Sequence, residues 1–276
     1  MKNQDTSPTL IQIYESHSWK RDYERFLPLS RYIYRPIGFL VTWMAVRLGI
    51  TTEMASYFSA VLGVTGLLLL SCKDLSFIVS GIVVLHLFNL FDCVDGSIAR
   101  VMKTENPYGK FLDSIIGDVI NFFFFAFIGI MIYRHPSLTL THFMFITFDK
   151  TCWVFLGGAT AMVYILLHHL EGIYASQISM QWEIRKNVAL SELGDSLREM
   201  PVSRGGEGLS HMMRLIDRNF RARETHYFFL VVALCAKMVD IFLVFFLIYF
   251  LFHFFLSLIL FGRRALIMKI RIIRNI

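Results

Sequence analysis

The sequence predicts an all-α, polytopic membrane helix bundle of about six transmembrane helices, preceded by an N-terminal interfacial helix. Three observations carry this. The 276 residues are 55% hydrophobic, contain 27 Phe and have a mean hydropathy of +0.55, more apolar than a soluble domain of this size. Apolar runs of about twenty residues, the length that crosses a bilayer, recur along the chain. With the N-terminus inside, all but Lys73, Arg134, Lys150 and Lys237 of the 27 Lys and Arg residues fall on the inner side. That bias follows the positive-inside rule, calls for an even number of spans and places both termini in the cytoplasm.

Residues 1–50 form the expected cytoplasmic leader and interfacial helix. Residues 1–30 are polar, with neither a basic n-region nor an apolar h-region, so a cleaved signal peptide is not expected. Tyr14, Trp19, Lys20, Arg21, Tyr23 and Arg25 suit a segment resting on anionic lipid, with a solvated helix as the alternative. Over 31–50, Arg31, Arg35 and Arg47 bracket an aromatic-rich middle, and Pro36 suits a first helical turn. That pattern fits a helix in the interface better than a span.

The membrane domain is expected over 51–262, with Thr51-Thr52-Glu53 supplying a hydroxyl N-cap. The spans read as about 52–71, 76–100, 108–132, 152–174, 226–239 and 241–262. The last two come from one apolar stretch, 226–262, interrupted only by Lys237, Asp240 and His253. As one helix it would be roughly 55 Å long, well over a bilayer, so a turn near Lys237–Asp240 is the economical reading. A tilted single helix is the alternative.

Residues 176–225 form the only sizeable polar insertion. It holds a helical pattern from Gln181 to Arg198, a Pro/Gly-rich stretch, and a basic end with Arg214, Arg218, Arg221 and Arg223. Those arginines suit phosphate contact, but topology alone already asks for cations there, and topology is the preferred reading. Residues 263–276 are a basic amphipathic tail suited to the membrane surface. Cys72, Cys93, Cys152 and Cys235 lack C-x-x-C spacing and read as core residues, with a Cys72–Cys152 bridge left open. His168, His169 and Glu171 form a weak metal-like cluster, because adjacent histidines point to different helix faces.

The chain is organised around Asp92–Asp118, DCVDGSIARVMKTENPYGKFLDSIIGD. It places Asp92, Asp95, Asp113 and Asp118 inside or beside apolar spans, where charge is costly and usually functional. On a helix Asp92, Asp95, Gly96 and Ala99 share one broad face. The small residues there leave a notch that a ligand can approach. The polar loop from Val101 to Tyr108 can fold the two helices into a hairpin that brings Asp113 against the other pair. Converging carboxylates repel strongly at low dielectric, and a hard divalent cation such as Mg²⁺, Mn²⁺ or Ca²⁺ resolves this. The bland alternative pairs them with Arg100, Lys103 and Lys110.

Asp92-x-x-Asp95-Gly96-x-x-Ala99-Arg100, eight residues, Gly109, three residues and Asp113 resemble the signature of the CDP-alcohol phosphotransferases, D-x-x-D-G-x-x-A-R-x(8)-G-x(3)-D-x(3)-D. Seven of its eight fixed positions match without a gap. The resemblance implies an integral membrane enzyme of about six helices, with two divalent ions (Mg²⁺ or Mn²⁺) on Asp92, Asp95 and Asp113. It also implies a CDP-linked donor at Gly96, Ala99, Arg100 and Gly109, an alcohol acceptor, and release of CMP. The last aspartate of the pattern, a metal ligand and base for the alcohol, falls on Gly117; Asp118 follows one residue late. On a regular helix Asp118 lies about 140° round from Asp113, and a π-bulge beside Gly117 is the way it would return as catalytic base.

The expected function is therefore transfer of a substituted phosphate from CDP-diacylglycerol, or another CDP-linked donor, to an alcohol in phospholipid or polar-lipid synthesis. A binding-only paralogue lacking the base, or a transporter using the acids as an ion site, are the rivals. The expected setting is a bacterial inner membrane, with the site at the cytoplasmic end and a homodimer as one possible assembly. No nucleic-acid module is found, and topology accounts for the net charge of +6.

Overall fold

The structure, a computed structural model, describes residues 8–18, 24, 27–143, 149–179 and 219–274. Most of the 176–225 insertion and, in the leader, Trp19, Lys20, Arg21, Tyr23 and Arg25 lie outside the described residues. The rest is helical, with no strand among the described residues.

The leader contributes α1, Leu10–Ser16, closed at its start by a capping box between Thr9 and Gln12. Tyr14 packs edge-on against Phe39, ring centroids 5.9 Å apart, on α2, Arg35–Arg47. A π-helical turn, Ser30–Tyr34, leads into α2, and Pro36 sits in its first turn, where a missing N–H costs nothing. Behind this contact His17 Nε2 donates to Glu24 at 2.8 Å, and Arg35 reaches the other Glu24 oxygen at 2.6 Å. Burial pushes the Glu24 carboxyl up, but the His17 hydrogen bond and the Arg35 charge outweigh it and hold it below its ordinary value. Burial holds the His17 imidazole below its ordinary value as well.

The membrane helices begin with α3, Thr52–Leu70, whose N-cap Thr51 accepts the Met54 N–H at 3.3 Å. Then come α4, Leu75–Met102, and α5, Pro107–Arg134. The α4–α5 hairpin is tight because Lys103 takes a left-handed conformation (φ 55°), and Asn106 then caps α5 by accepting the Gly109 N–H at 2.7 Å. Next are α6, Lys150–Ile173, α7, Arg223–Cys235, and α8, Val239–Arg274. Glycines let helices meet backbone to backbone. A Cβ on Gly81 of α4 would lie 2.9 Å from the Gly66 carbonyl of α3, and one on Gly157 of α6 would lie 2.8 Å from the Gly129 Cα of α5. In lipid, where apolar side chains gain little from meeting each other, such close approach is what holds helices together. On the other side of α5, Phe124 and Phe125 interlock with Tyr227 of α7 and with Phe242, Phe246 and Phe250 of α8, all buried.

The expected turn near Lys237 is present, with Lys237 at φ 55° between α7 and α8. Asp240, in the first turn of α8, is buried and accepts the N–H groups of Leu140 at 3.0 Å and Thr141 at 2.9 Å. That satisfies orphan donors of a single helical turn, Leu140–Phe143. The expected spans are matched in all but one case, 226–239. Among the described residues, five helices, within 52–70, 75–102, 107–134, 150–177 and 239–267, are long and apolar enough to cross a membrane. The 13 residues of α7 rise only about 20 Å, short of the roughly 30 Å hydrocarbon core. Its start explains this: Arg223 is paired inside the bundle, so the helix begins within it. Over the basic residues expected as a tail from 263, α8 continues unbroken to Arg274. All four cysteines, Cys72 and Cys152 included, are free thiols.

Candidate active site

The α4–α5 hairpin closes one side of a cavity of about 400 Å³, lined by Asp92, Asp95 and Asp113. Four cations, Arg35, Arg100, Lys110 and Arg223, share the lining with these carboxylates and Glu105. The helical spacing of Asp92 and Asp95 turns both inward from α4, and Asp113 faces them from the second turn of α5.

Each carboxylate of α4 is held differently. Asp95, 3% exposed, accepts the Ser56 hydroxyl from α3 at 2.6 Å and the Gly96 N–H. Asp92 takes a two-pronged contact from Arg223, the first residue of α7: Nη1 donates to Oδ1 at 3.2 Å and Nη2 to Oδ2 at 2.5 Å. The same guanidinium lies 5.4 Å from the centre of the Phe88 ring, a cation–π contact that favours the desolvated charge.

Gly96, Ala99, Arg100 and Gly109 all line the cavity, as expected. The space beside Gly96 is occupied by Arg100, which folds back along α4. A Cβ on Gly96 would stand 3.2 Å from Arg100 Nη1, and Arg100 Nη2 donates to Ser97 at 3.2 Å. Gly109 has its N–H on Asn106 and room for a Cβ at an ordinary 3.6 Å from that side chain.

Asp118 lies elsewhere. It is not among the cavity-lining residues, and its Oδ1 is 3.3 Å from His168 Nε2 of α6 with both side chains about half exposed. The expected π-bulge is absent, since α5 is a regular α-helix from Pro107 to Arg134. Gly117 does face the cavity side: a Cβ there would lie 3.3 Å from Arg223 Nη1. The metal-like group at the end of α6 also divides, with His168 against Asp118 and Glu171 ion-paired to Arg221.

An oxygen-only set of carboxylates from two helices fits one hard divalent cation. The fourth aspartate position of the signature is Gly117, and Arg223 reaches both oxygens of Asp92. Among the described residues no ready-made cluster of three His, Cys, Asp or Glu stands at metal-holding geometry.

Sequence reasoning missed Arg223, Arg35 and Ser56 as cavity residues. Arg223 fell within a basic cluster explained by topology. The available signal was its place three residues before a long apolar run, where a charge that enters the membrane needs a partner.

Among curated proteins, a search finds no match to the chain. The family model for CDP-alcohol phosphatidyltransferase matches residues 41–186, a stretch that takes in α3 to α6 and every aspartate of the cavity. Over half the chain falls in that match, and it contains the whole motif whose carboxylates the hairpin brings together. The protein belongs to the CDP-alcohol phosphatidyltransferase family, membrane proteins that transfer a phosphate group from a CDP-alcohol.

Proposed function

We propose that the protein transfers a substituted phosphate from CDP-diacylglycerol to an alcohol hydroxyl, releasing CMP, in phospholipid or polar-lipid synthesis. The observation that carries this is the convergence of Asp92, Asp95 and Asp113 on one polar cavity inside a membrane bundle. A lipid-linked donor is supported by the exposed aromatics Tyr57, Tyr108 and Phe111 on α3 and α5, on helices that flank the cavity. Acyl chains can lie along them while the diphosphate reaches inward.

The carboxylates are the groups suited to hold Mg²⁺ or Mn²⁺, which when bound supplies charge stabilisation to the diphosphate and the leaving CMP. Arg100, folded over Gly96, is placed to meet a phosphate that enters the notch. Ser56 fixes the Asp95 carboxylate in one orientation. The acceptor's proton goes to a carboxylate on the cavity side. Asp113 stands one turn before Gly117 on the same face of a regular α5, so it is the cavity aspartate nearest the family's usual base position. Asp118 could take that role only by leaving His168 and turning round the helix. The charge bias of the sequence supports a cytoplasmic N-terminus and a site at the cytoplasmic end of α4 and α5.

The direct test offers purified protein CDP-diacylglycerol and CDP-choline separately, each with a panel of alcohols and Mg²⁺ or Mn²⁺, and measures labelled CMP. CMP released from CDP-diacylglycerol, and abolished by EDTA, is the expected result. Gly117 in place of the last aspartate favours a second reading, a protein that binds the donor without turnover. Tight donor binding with no CMP release from any pairing would select it.

A further inference from the structure

We propose that Arg223 is a built-in cation of this site, taking the place of a second metal ion, so that the cavity holds one divalent cation per chain. The proposal rests on the phosphotransferase reading above and goes beyond it.

Two features of the site support it. Where the family signature has its fourth aspartate, this chain has Gly117, and the space a side chain would enter there is bounded by Arg223 Nη1 at 3.3 Å. The same guanidinium reaches both oxygens of Asp92, at 3.2 and 2.5 Å. A carboxylate ligand has been lost, and a fixed positive charge from a different helix stands beside the gap. Both features act in one direction. They remove donors for a second ion and supply part of its charge.

Charge balance agrees. The four cations and four carboxylates that line the cavity cancel when all are ionised. A CDP-diester donor brings one negative charge on each of its two phosphates. One divalent ion neutralises that diphosphate, whereas two would leave an excess of two positive charges in a site of low dielectric, where such an excess is strongly unfavourable. Coordination agrees too. Mg²⁺ is commonly held by one or two protein carboxylates with substrate phosphates completing its octahedron. Asp95 and Asp113 meet that need while Asp92 stays with Arg223. The guanidinium is planar, permanently charged and suited to phosphate oxygens, so it would share the diphosphate with the ion.

The experiment counts ions rather than turnover. Mn²⁺ is titrated into purified protein and followed by the electron paramagnetic resonance of free and bound Mn²⁺. Wild type should saturate at one ion per chain with no spin-coupled pair. The double variant Gly117→Asp/Arg223→Ala should bind a second ion and show a coupled pair, and Arg223→Lys should keep one. Gel filtration and helical circular dichroism check that each variant is folded. Two ions per wild-type chain would overturn the proposal whatever the variants do. A folded double variant that stays at one ion would remove Arg223 and Gly117 as the cause. CMP release is measured on the same preparation. Turnover with two bound ions defeats this inference and leaves the enzyme reading intact, while no bound Mn²⁺ and no CMP release defeats both.

Discussion

Asp113 and Asp118 stand five residues apart on the same helix and live in different worlds. Asp113 looks into a cavity with two other aspartates and four cations, whereas Asp118 is about half exposed on the outer flank beside His168. The helix is regular between them, so a rotation of about 140° is all that separates them. Identity of a side chain therefore says little about its role here; its angle round α5 says most.

The sharpest way to break this contrast is to neutralise each aspartate in turn. Asp95→Asn and Asp113→Asn should lower CMP release by about 10³-fold or more, because each removes a ligand and Asp113 also the proposed base, itself worth about 10²–10⁴. Asp118→Asn should cost less than about tenfold. If Asp118→Asn proved as damaging as Asp113→Asn, the flank assignment would be wrong.

Gly157→Leu tests whether the fixed angle of α5 depends on its glycine contact with α6. The Cβ of the new side chain alone would stand 2.8 Å from the Gly129 Cα and 2.8 Å from the Phe125 carbonyl oxygen, inside van der Waals contact. Overpacking of this kind costs about 1–3 kcal/mol. Thermal unfolding in detergent should show a lower midpoint and activity should fall with it; an unchanged midpoint would mean the helices have room to separate.

Ser56→Ala probes a finer point, the orientation of Asp95 within the cavity. Losing a hydrogen bond to a charged group costs about 1.5–3 kcal/mol, so CMP release should drop by roughly tenfold or more, and Ser56→Thr should restore part of it. Equal losses in Ser56→Ala and Ser56→Thr would point to packing rather than to the hydroxyl.

The smallest expected effect is on the leader. Glu24 and His17 both have folded values below their ordinary ones, and they act in the same sense. The Glu24 contribution is complete above the ordinary carboxylate range and is lost as pH falls through its lowered value. Protonating His17 works against the folded state once pH drops below its ordinary 6.5. Docking of α1 should thus weaken between about pH 6.5 and pH 4, read as faster amide exchange over Leu10–Ser16, with the cavity helices unaffected. Equal or slower exchange at the lower pH would contradict it.

What could be read from the sequence followed the range of the interactions. The Thr51 cap acts over three residues and the Lys237 turn interrupts an apolar run too long for one helix, so both were legible. The aspartate pair of α4 and its approach to Asp113 follow from helical spacing and a short loop. The contacts that escaped join distant parts of the chain. Asp240 closes on Leu140 and Thr141 about 100 residues away, and Arg223 reaches Asp92 across 131. Neither leaves a local pattern that names its partner. The shortness of α7 escaped for the same reason, since only its partner on α4 explains why it starts inside the bundle.

That separation of 131 residues also sets an order of events during synthesis. At about 5–20 residues per second, Asp92 emerges on the order of ten seconds before Arg223 exists. For that interval the carboxylates enter the membrane with only earlier cations, such as Arg35, Arg100 and Lys110, to accompany them. The nascent hairpin is therefore an acidic, open site, and arrival of α7 supplies the missing cation from the far side of the sequence. A ribosome-stalled chain ending before residue 219 should consequently bind Mn²⁺ at its aspartates differently from the finished protein, because the guanidinium has yet to be made.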